Sequence, residues 1–155
     1  MLPDDEETYI DICCDEAERK GREKCLKEGA SILRSMMDDS RIDTKTLFQY
    51  LLSCLCADGH VTEWEFDLII PLATKMGINF SSPRDMANVI KTLNPDIMRE
   101  NEADMKDHIR ACSKKDKDRY LQLGILLGAC DGRVSEYERL LLLDIFGYSP
   151  AKSGR

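Results

Sequence analysis

Two aspartates and the glutamates that follow them are the side chains of this sequence best suited to chemistry. Asp58, Glu63 and Glu65 recur at a constant offset as Asp131, Glu136 and Glu138. The surrounding stretches also match. ADGHVTEWEFDLII runs from Ala57 to Ile70, and CDGRVSEYERLLLL from Cys130 to Leu143. Each aspartate falls at the C-terminal end of an apolar helical pattern, where the helix dipole disfavours negative charge. Each also lies near two glutamates of the next helix start. Two accounts explain such a placement: the aspartate caps the following helix, or a cation neutralises the group.

The rest of the motif has a structural reading. Gly59 and Gly132 can take the left-handed conformation that ends a helix. Thr62 and Ser135 are then N-caps, and Glu65 and Glu138, three residues on, complete a capping box. Val61 and Phe66 have the spacing of a hydrophobic staple; in the second copy Arg139 takes the place of the phenylalanine. The pattern also matches the second half of an EF-hand loop, with Gly at six and Glu at twelve. Positions one and three would then be Cys54 and Cys56, or Leu127 and Ala129, which give no oxygen cage. An ordinary EF-hand is excluded.

Other chemistries find little support. Both histidines, His60 and His108, lack an evident nucleophile partner. There is no phosphate-binding glycine loop, nucleophile elbow or H-E-x-x-H. The seven cysteines show no CxxC spacing. They read as small buried hydrophobes rather than disulfides or zinc ligands. No enzyme is expected. A net charge of −7 argues against nucleic acid or an anionic membrane as partner, since both need a basic face. No stretch of about 18–20 uncharged apolar residues is present to insert in a membrane. The acidic N-terminus has no apolar core of a signal peptide, so a cytoplasmic location is expected.

These turns must be held by helices. Glycine (nine) and proline (five) are sparse in 155 residues, and β-branched runs are few. The expected fold is all-α: a single-domain bundle of about seven to eight helices over 1–155, with two pseudo-symmetric helix, Asp-Gly turn, helix units at about 47–77 and 120–147. An acidic helical region spans 4–37, with Gly21 and Gly29 as weak points. Its early acids suit a solvated helix start, and Leu26, Ala30, Leu33 and Met37 mark its apolar face. Leu47, Tyr50, Leu51, Cys54 and Leu55 point inward from the next helix. Met86, Val89, Ile90 and Leu93 make a later stripe. Ser113 to Asp116 starts a helix that is apolar all round from Tyr120 to Cys130, and so central.

ADGHVTEWE and ACDGRVSEYE, each following an apolar helix, resemble the signature of the TerB-like family, the helical domain of bacterial tellurite-resistance and stress-response systems. The resemblance implies a cytoplasmic bacterial module that binds a divalent cation such as calcium. By motif match the ligands would be Asp58, Glu65, Asp131 and Glu138, with Glu63 and Glu136 as helpers. Arg133 would weaken the second site. It does not imply an enzyme. The competing expectation is an interaction or scaffold domain without a ligand, using Leu140–Leu143 or the Tyr120–Cys130 helix as a face for a protein partner or a homodimer.

Overall fold

The computed structural model describes residues 6–55, 61–92 and 95–146; within these, the side chains of 6–8, 55, 95, 97, 98, 131 and 137 are not described. Every regular element among the described residues is helical. They are α1 (Glu6–Lys20), α2 (Arg22–Met37), α3 (Thr44–Leu55), α4 (Glu63–Lys75), α5 (Pro83–Thr92), α6 (Pro95–Arg110), α7 (Lys114–Gly128) and α8 (Glu136–Phe146). One 3-10 turn, Ala129–Asp131, follows α7. The chain divides into two compact units, one of residues 35–108 and one of residues 1–34 with 109–155. Each unit holds one copy of the repeat.

In the unit of 35–108, α3 packs on α4 and α4 on α5. The inward line Leu47, Tyr50, Leu51 and Cys54 is buried as its spacing predicts. Asp43 sits just before α3, and its carboxylate accepts from the Thr46 N–H and hydroxyl at 2.9 and 2.8 Å. These bonds satisfy an orphan donor of the first turn. Thr62 closes a full capping box with Glu65 at the start of α4. Pro71 lies inside α4. It is exposed, as is Asp67, whose carbonyl loses its helical donor to the proline. In α5, Met86 and Ile90 are buried but Val89 is 41% exposed. Leu93 lies outside the described residues.

In the other unit, α7 packs on α1 and α8, and α1 also packs on α8. From Tyr120 to Cys130 only Gln122 is not buried. That helix is central, as its all-round apolarity predicts. The face of α2 is offset from the expected one. Cys25, Gly29, Leu33 and Met36 are its buried line, while Leu26, Ala30 and Met37 are half-buried. Gly29 explains the shift. A Cβ there would stand 2.6 Å from Leu127 Cδ2, so the absent side chain lets α2 approach α7 closely. Gly29 therefore does not interrupt the helix, whereas Gly21, at φ +92°, does separate α1 from α2.

Candidate functional site

The second repeat turn is the better described. α7 runs into the 3-10 turn, and Gly132 ends it at φ +96°. Only a residue without Cβ takes that conformation at no steric cost. The chain then passes Arg133 and Val134 to the cap of α8. Ser135 N–H donates to Glu138 Oε1 at 2.7 Å, and Glu138 N–H donates to Ser135 Oγ at 3.1 Å. The same exchange joins Thr62 N–H to Glu65 Oε1 at 2.9 Å and Glu65 N–H to Thr62 Oγ1 at 3.4 Å. Both glutamates thus serve as capping-box acceptors. Glu65 is 5% exposed. Glu138 turns its other oxygen over Gly128, at 3.4 Å from where a Cβ would stand.

The other expected ligands are placed as follows. Glu63 and Glu136 are exposed in the first turns of α4 and α8. The backbone of Asp131 closes the 3-10 turn. Its side chain, and the whole of Asp58, lie outside the described residues. Among the described residues no three His, Cys, Asp or Glu side chains are grouped to hold a metal ion.

The acidic helix is more than a solvated start. Asp11, Asp15 and Glu18 converge on one guanidinium, that of Arg139, at 3.0, 3.0 and 3.1 Å. Arg139 Nε also donates to the Val134 carbonyl at 3.1 Å, and Val134 N–H donates to Glu18 Oε2 at 2.7 Å. The arginine that displaces the staple residue therefore makes a polar staple, bonding back to the residue before the cap. Burial works against its charge, but the hydrogen bonds from its guanidinium to Asp11, Asp15 and Glu18 more than offset this and raise its pKa. Beneath lies Cys14, fully buried. Its thiol is pushed up to about 12, by burial first; Arg139 opposes the shift, and Asp11 and Glu18 add to it. Burial likewise raises the thiols of Cys13, Cys25 and Cys112.

Beside this cluster, α1 and α8 border a groove of about 320 Å³. Ile10, Leu140 and Leu143 give it an apolar lining; Asp11, Arg133, Glu136 and Arg139 give it charge. Leu140 is 50% exposed. Comparison with known proteins gives no match: no family model, no curated protein and no solved structure aligns with this chain. Sequence reasoning missed the Arg139 cluster, although a signal was present. Positions 11, 15 and 18 follow the i, i+4, i+7 spacing of one helical face, and Arg139 stands where an apolar side chain was expected.

Proposed function

We propose that this chain is a non-catalytic helical interaction module, of TerB-like type and cytoplasmic, whose working face is the groove between α1 and α8. The exposure of Leu140 on the lining of a mixed apolar and charged groove carries this reading. An apolar lining with charged groups around it is the composition that protein interfaces share. A photo-crosslinking residue placed at position 140 in the native host tests the reading. Discrete adducts are expected there and not at exposed Glu100 on α6. Equal labelling at both positions would remove it.

A second reading is a divalent-cation site at the Asp131 turn, serving stress-response signalling. One observation favours it: Glu138 brings a carboxylate oxygen over Gly128, the last residue of α7. Negative charge is unfavourable at that end of a helix and a bound cation would relieve it. Calcium at millimolar concentration should then raise the melting temperature, and Asp131→Asn should abolish the rise. An unchanged melting curve with calcium, magnesium and manganese would count against this site.

A further inference from the structure

We infer that the α1–α8 groove docks a second copy of this chain about a two-fold axis, pairing Arg133 of each protomer with Glu136 of the other. The inference rests on the interaction reading above and names its partner. A two-fold interface sets one patch against itself, so the patch must complement its own charges. This groove meets that condition. Arg133 and Glu136 are both exposed, carry opposite signs and line the same surface. Among the described residues neither makes an ion pair.

Arg139 and Asp11, by contrast, are already satisfied by each other. They line the groove as an ion pair already formed within the chain. Leu140 and Leu143 line the same groove, together with Ile10. They would meet their symmetry mates across the axis, forming the apolar centre that interfaces place inside a polar rim. Tyr9 and Ile12, 50% and 52% exposed and one turn apart on α1, add apolar surface to the helix that forms one wall. A partner of uniform charge would leave one member of the Arg133–Glu136 pair facing like charge. A second copy satisfies both.

Sedimentation of the full chain tests this. Wild type should run as a dimer at about 100 µM and dissociate on dilution. Arg133→Glu and Glu136→Arg should each run as monomers, because each sets like charges together twice. The two variants mixed in equal amounts should recover the dimer, since each then supplies what the other lacks. Leu140→Glu, at an exposed position where the fold tolerates charge, should also be monomeric with an unchanged helical spectrum. A monomeric wild type at that concentration, or a dimer indifferent to all three substitutions, would overturn the inference. The crosslinks at position 140 separate this failure from that of the interaction reading. A monomer with adducts of some other mass sinks only the second copy, and a monomer with no specific adduct sinks both.

Discussion

At Arg139 one guanidinium does the work of several caps. It binds three carboxylates of α1 and the carbonyl of Val134, and it is 21% exposed. Hydrogen bonds to charged groups contribute about 1.5–3 kcal/mol each, though exposed ion pairs contribute far less. Asp11 and Asp15 are about half exposed, so the lower end applies to them. Arg139→Gln should therefore cost about 2 kcal/mol in urea unfolding. Arg139→Lys should recover less than half, because an ammonium on a flexible stem cannot span the fork. A loss below about 0.5 kcal/mol would show the cluster to be ornamental. Asp43 makes stability depend on pH. The hydrogen bonds from the Thr46 side chain and backbone hold its carboxyl below the ordinary value. A lowered folded pKa means that stabilisation is complete above the unfolded value, about 3.9, and is lost as pH falls through the folded one. Stability should thus fall more steeply below pH 4 in wild type than in Asp43→Asn, which keeps the cap but does not titrate; parallel curves would refute this. Both sites were only partly legible in the sequence. Capping is local, so the boxes at Thr62 and Ser135 could be read from spacing alone. The Arg139 cluster joins residues far apart in the chain, and no local rule pairs them.

The helices were legible because their signals are local and redundant. Thr62, Ser113 and Ser135 mark helix starts by cap chemistry, and the structure puts boundaries at each. The face of α2 was not legible, because hydrophobicity ranks Leu26 and Ala30 above a glycine. Burial there follows the seating of the Leu127 side chain against the bare backbone of Gly29. Gly29→Ala adds about 1 kcal/mol of helix propensity, yet its Cβ would lie 2.6 Å from Leu127 Cδ2 and 3.2 Å from Cγ. Leu127 is 1% exposed and has little space to yield. Overpacking of this kind costs about 1–3 kcal/mol and should exceed the gain. Net destabilisation of about 1 kcal/mol is expected in urea unfolding, with part of it relieved in the double variant Gly29→Ala/Leu127→Val. Stabilisation by Gly29→Ala would mean that α2 and α7 are not held at close approach.

For the whole molecule, the division into two units has energetic content. Each has its own buried line: Leu47, Tyr50, Leu51 and Ile69 in one, Leu123, Ile125, Leu127 and Ile145 in the other. Each also has its own repeat turn and its own capping box. Regions with separate cores commonly open with separate free energies. The sequence supplies a probe that distinguishes them, because Trp64 is the sole tryptophan and belongs to the unit of 35–108. Its fluorescence reports that unit, whereas helical circular dichroism reports both. Arg139 lies in the other unit. Arg139→Gln should therefore move the part of the dichroism transition that Trp64 does not report to lower urea and leave the Trp64 midpoint nearly in place. Thr62→Ala, which removes a cap beside the tryptophan at a cost of about 1 kcal/mol, should do the reverse and shift the fluorescence. If both variants moved both signals together, the chain would be unfolding as one cooperative body, and the contacts within each unit would not set its stability independently.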